Sequence, residues 1–193
     1  MLVDALLLSL IVGYIRGGNL RRLASLEFKF PWLVILAFLI HFFLMPLIGR
    51  SLQFGRVYAF YALIISYLLL FAVVWFNRKN RFIQIMGVGI ALNFLVILLN
   101  GGMPVPLTLV QKFCPQGYEY VGNVQGFLHI PMVESTRLKF LGDLIPFPAL
   151  LPRPCFALVS LGDVFLSVGV FLLIQRGMVY RGKHALKRVV GFK

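Results

Sequence analysis

Val57-Tyr-Ala-Phe-Tyr-Ala-Leu-Ile-Ile-Ser-Tyr-Leu-Leu-Leu-Phe-Ala-Val-Val-Trp-Phe76 runs for 20 residues without a charge. A helix crossing the hydrocarbon core of a bilayer needs about 20 predominantly apolar residues. Four further apolar runs flank this one: Leu2–Ile15, which is short and carries Asp4; Pro31–Ile48, with His41 and Pro46 inside; Phe82–Leu99; and Phe156–Gln175, with Asp163 inside. The whole chain is 60% hydrophobic, 15% aromatic and only 13% charged. A soluble fold of this size cannot hide so much apolar surface, and a disordered chain cannot leave it wet. The pattern predicts an all-α fold, a polytopic membrane bundle of five transmembrane helices near residues 2–15, 31–48, 57–76, 82–99 and 156–175. All 193 residues form one integral membrane domain on this reading. Met1–Ala5 lacks the basic start of a signal peptide, so the first run is expected to span.

Charge orients the bundle. The formal net charge is +13, which in a soluble protein would point to nucleic acid. Here the cations follow the loops. Arg16, Arg21, Arg22, Lys29, Arg78, Lys79, Arg81 and the tail cations Arg176, Arg181, Lys183, Lys187, Arg188 and Lys193 fall on one side. Arg50, Arg56, Lys112, Arg137, Lys139 and Arg153 fall on the other, together with every acid except Glu27. The positive-inside rule makes the richer side cytoplasmic, with the N-terminus outside and the C-terminus inside. Nucleic acid is not an expected partner. Membrane lipids are, with anionic inner-leaflet lipids at the basic tail 176–193, where Met178, Tyr180, Leu186 and Val190 interleave with cations.

The segment 100–155 is too long for a simple connection and is not hydrophilic. Pro104, Pro106, Pro131, Pro146, Pro148 and Pro152 break its apolar stretches, so no straight spanning helix is expected there. It reads as a cap over the outer helix ends. Cys114 and Cys155 stand at either end of it; they form either an extracytoplasmic disulfide or two buried thiols.

Ionisable groups in membrane helices are costly and so are functional candidates. Ser160, Asp163 and Ser167 share one stripe of the fifth run, and Gly89, Asn93 and Asn100 a similar stripe of the fourth. Facing each other they make a polar seam, which is either an interhelical contact or part of a site. Leu-Gly-Asp occurs twice, ending at Asp143 in the cap and at Asp163. Two nearby carboxylates can share a proton or hold a cation, and Arg137 and Lys139 are alternative partners for Asp143. Ser160-Leu-Gly-Asp163 is superficially similar to the Gly-x-Gly-Asp of intramembrane aspartyl proteases, but its first glycine is missing and both aspartates fall outside. His41 lacks the second mid-membrane histidine that haem ligation needs. No phosphate-binding loop, His-Glu-x-x-His or Gly-x-Ser-x-Gly is present in the sequence.

Asn100-Gly-Gly-Met-Pro-Val105, Thr136-Arg-Leu138, Leu141-Gly-Asp143 and Gly162-Asp163 resemble a bacterial family of small polytopic membrane proteins known only as a domain of unknown function. The resemblance covers nearly the whole chain. It implies a protein of the bacterial cytoplasmic membrane, draws attention to the outer cap and names no activity or cofactor. The expected function is binding or transport of a small ligand or lipid at the outer face, with Asp163, Asp143, Asn100 and Arg137 lining the site and Asn93 deeper. The alternatives are an accessory or assembly subunit of a larger membrane complex, and an outward-facing enzyme using the paired aspartates.

Overall fold

The structure is a computed structural model that describes residues 1–44, 47, 55–115, 121, 129–148 and 157–179. The protein is mostly helical. α1 (Leu2–Ile15) leads through a 3-10 turn, Leu20–Ser25, into α2 (Pro31–Leu39), which loosens into a π turn at Ile40–Leu44. α3 (Gly55–Phe76) and α4 (Arg81–Asn100) follow, then a short α5 (Leu107–Phe113) within the cap and the last helix, α6 (Leu161–Val179). Three of these helices are long and apolar enough to cross a membrane: Val57–Phe76 within α3, α4 and α6. α1 has 14 residues, a length of about 21 Å at 1.5 Å per residue, short of the ~30 Å hydrocarbon thickness.

α1 packs on α6, α6 on α4, α4 on α3 and α3 on α2. Contacts fix their directions. Phe30 at the start of α2 stacks on Phe76 at the end of α3, with ring centroids 4.6 Å apart. Phe94 of α4 meets Tyr67 and Phe71 of α3, each at 5.4 Å. Gly13 of α1 lies against Met178 of α6. The starts of α1, α3 and α6 and the ends of α2 and α4 therefore share one end of the bundle with the cap. Arg16, Arg21, Arg22, Lys29, Arg78, Lys79, Arg81 and Arg176 share the other. Both tryptophans belong to that basic end, Trp32 at the start of α2 and Trp75 at the end of α3, each exposed.

The cap departs from an all-helical plan. β1 (Met103–Val105) pairs in parallel with β2 (His129–Pro131), setting Met103 opposite His129 and Val105 opposite Pro131. β3 (Ile145–Phe147) pairs antiparallel with β4 (Ala157–Val159). The last helix consequently begins at Leu161 rather than near residue 156, and extends to Val179 rather than 175. The apolar run before it is half strand, because β4 satisfies its backbone against β3. The core lies between α3 and α4, around Ala59, Leu63, Tyr67, Ile90, Val96 and Ile97, and continues under the cap through Met103 and Leu141. The end of the second run beyond residue 44, most of the tail and Cys155 lie outside the described residues.

Candidate functional site

Three polar side chains, Asn93, Ser160 and Asp163, meet where α4 and α6 enter the cap. The start of α6 is built by Ser160-Leu-Gly-Asp163. The Ser160 Oγ accepts from the Asp163 backbone N–H at 3.0 Å, and Asp163 Oδ2 accepts from the Ser160 N–H at 3.0 Å. This is a reciprocal capping box, which occupies two amide donors that the first turn of a helix otherwise leaves bare. The carboxylate also suits the positive end of the helix dipole. Asn93 of α4 ties in from across the interface: its Nδ2 donates to Asp163 Oδ1 at 2.9 Å, and the Ser160 hydroxyl donates to Asn93 Oδ1 at 2.8 Å. A side chain on Gly162 would collide with the Asn93 amide, so the small residue is what lets the two helices close. Both Asp163 oxygens are thus engaged within the protein.

Asn100, at the end of α4, grips the cap. Its Nδ2 donates to the Val96 carbonyl at 2.8 Å and to the Arg137 carbonyl at 2.9 Å, while its Oδ1 accepts from the Arg137 N–H at 2.8 Å. Asn77 repeats the device at the basic end of α3, bonding the Val73 carbonyl and both the N–H and C=O of Lys29. Asn100 is therefore a clamp on the Arg137 backbone, and the Arg137 side chain is exposed at the rim.

Asp143 is different. Its backbone N–H donates to the Pro104 carbonyl of β1 at 2.9 Å. A Cβ on Gly142 would stand 2.5 Å from that same carbonyl, so the neighbouring glycine is required for the strand to pass so close. The side chain is 5% exposed. Oδ2 faces His129 Nε2 at 3.2 Å; Oδ1 is buried and has no hydrogen-bond partner among the described residues. Neither Arg137 nor Lys139, the cations nearest in sequence, forms an ion pair with Asp143; His129, delivered by the parallel β1–β2 register, takes that place. Burial holds the Asp143 carboxyl above its ordinary range, against the opposing pull of the His129 hydrogen bond and charge, with Asp163 adding to the rise. Tyr67 of α3 lies close enough to feel both carboxylates, and His41 close enough to feel His129.

The seam of Asn93, Ser160 and Asp163 follows the stripes that helical spacing sets out, and it includes the one group that spacing alone does not explain, the capping box. Ser-x-x-Asp ahead of an apolar run is the sequence signal for it. His129 was not singled out by the sequence, because the bend that carries its partner Asp143 reaches it only through β1. Cys114 is disulfide-bonded; Cys155 lies outside the described residues. Among the described residues no three His, Cys, Asp or Glu side chains are grouped to hold a metal ion.

Fold and site together define a mostly helical, membrane-type protein with a small-strand cap over one end of the bundle. The chain belongs to a family of unknown function, DUF5317, whose model matches residues 25–175. It is similar to an uncharacterised protein of Thermotoga maritima, 25% identical over 174 residues that cover 89% of each chain. No solved structure matches it.

Proposed function

We propose that this protein is a five-span protein of the bacterial cytoplasmic membrane that binds a small ligand at its outward-facing cap, with Asp143 as the binding group. The observation that carries the reading is the enclosed Asp143 Oδ1, which has no partner among the described residues. A buried polar atom left unsatisfied costs about 1–3 kcal/mol, and nearly all such atoms in folded proteins have a partner or an explanation. Asp163, Asn93 and Asn100 form the frame that holds Asp143 over the helix ends, and Arg137 stands at the rim. Two features support the orientation. Exposed tryptophans and cations gather at the end opposite the cap, as at a cytoplasmic headgroup layer. The disulfide at Cys114 suits an oxidising compartment, with Cys155 as its partner in this proposal. The basic tail rests on anionic inner-leaflet lipid.

Native mass spectrometry of protein extracted gently from its own membrane, wild type beside Asp143→Asn, tests this. An adduct present in the wild type and lost in the variant is the expected result. An adduct retained by Asp143→Asn overturns the site. A co-purifying protein with no small adduct in either sample would instead make the chain a subunit of a larger complex. Labelling of reduced Cys114 by an impermeant thiol reagent from the cytoplasmic side alone would reverse the topology.

A further inference from the structure

We propose that Asp143 is a proton-binding site, loaded from the outer solution through His129. This rests on the reading of the cap as a binding face and names what Asp143 itself takes up. The geometry is that of a two-step entry. The His129 ring is 47% exposed and stands 3.2 Å from Oδ2, whereas the carboxyl behind it is enclosed. With Oδ1 sealed and no third ligating side chain beside the pair among the described residues, a proton is the cation that this carboxyl holds without opening the cap.

The transfer balances simply. The His129 imidazolium N–H bond breaks, an O–H bond forms on the Asp143 carboxylate, and the two opposite charges cancel together. Bulk water then re-protonates the exposed ring. Each neighbouring element contributes to the balance. Asp163 from α6 disfavours a second negative charge nearby, and Tyr67 from α3 lies within the field of both carboxylates. His129 from β2 favours the carboxylate, while His41 from the π turn lies within the field of His129. β1 supplies the Pro104 carbonyl that holds the Asp143 backbone. Burial of the carboxyl, which raises its pKa, acts in the same direction as the orphaned oxygen.

Infrared titration of the full-length protein, purified in detergent, reads the protonated carboxyl directly through its C=O stretch. The wild type is expected to show a carboxyl band that titrates with a midpoint above the ordinary aspartate value of 3.8. The band is absent from Asp143→Asn, and its midpoint moves higher still in His129→Gln, which removes the charge and hydrogen bond favouring the carboxylate. Asp163→Asn keeps the band and lowers its midpoint, because a repelling charge is gone. A band that survives in Asp143→Asn, or an Asp143 midpoint at or below 3.8, overturns the proposal. The two experiments fail separately. An adduct lost in Asp143→Asn without any raised Asp143 titration refutes the proton site and leaves the ligand site standing. A raised titration with an unchanged adduct supports the proton site and refutes the ligand site.

Discussion

Leu141-Gly-Asp143 and Leu161-Gly-Asp163 are the same three residues in opposite circumstances. In both, the glycine permits a close approach, to the Pro104 carbonyl in the first and to the Asn93 amide in the second. In both, the aspartate stands at the junction of cap and bundle. Asp163 opens a helix, so the first-turn amide and the serine three residues earlier are ready partners, and Asn93 takes the remaining oxygen. Asp143 ends an irregular turn beside a strand, where no such donors are offered. One oxygen meets a half-exposed histidine and the other has no hydrogen-bond partner among the described residues. The lesson is that the same triplet at the same junction does not indicate the aspartate's role; the count of its satisfied oxygens does.

The comparison can be broken at several points. The largest effect is expected at the glycine of the satisfied triplet. Gly162→Ala forces a methyl into the Asn93 amide and separates α4 from α6; overpacking of this kind costs about 1–3 kcal/mol, to be read as a fall in thermal midpoint in detergent. Asp163→Asn comes next. It keeps an acceptor but sets an amide donor against either the Ser160 N–H or the Asn93 Nδ2, a loss of about 0.5–2 kcal/mol for a disrupted cap, measured in the same way. Asn100→Ala removes the clamp on Arg137, with a loss of about 1 kcal/mol confined to the cap. Its check is faster hydrogen exchange at the Arg137 amide with α1 and α6 unchanged.

Asp143→Asn belongs at the other extreme. It keeps the shape, ends the burial of an acid and should leave the thermal midpoint unchanged or slightly raised. It also changes the pH response. With its folded pKa above 3.8, the native state holds this proton over a range where the unfolded chain has released it. Wild-type stability therefore falls as pH rises from 3.8 through the folded pKa. The variant lacks that slope, and thermal melts across the range would show the two curves converging at low pH and separating as pH rises.

These differences explain what could be read from the chain alone. The uncharged run 57–76 states its helix directly, since its length and composition suit a membrane span and nothing interrupts them. The facing of Asn93 and Asp163 is legible too, because helical spacing puts Ser160, Asp163 and Ser167 on one stripe and Gly89, Asn93 and Asn100 on another. The start of α6 was misplaced by hydropathy. Ala157–Val159 is as apolar as the helix after it, and only the capping box at Ser160 marks where strand ends and helix begins. The pairing of Asp143 with His129 left no local trace. It arises from the parallel register of two three-residue strands, and sequence proximity pointed instead to Arg137 and Lys139.

The most direct test of the contrast is a pair of thermal melts at one pH above the Asp143 titration, with Asp143→Asn and Asp163→Asn each compared with the wild type. The expected result is a midpoint held or raised by Asp143→Asn and lowered by Asp163→Asn. Equal losses from both substitutions would show that the two aspartates are held alike, and would contradict the assignment of one to the frame and the other to the site.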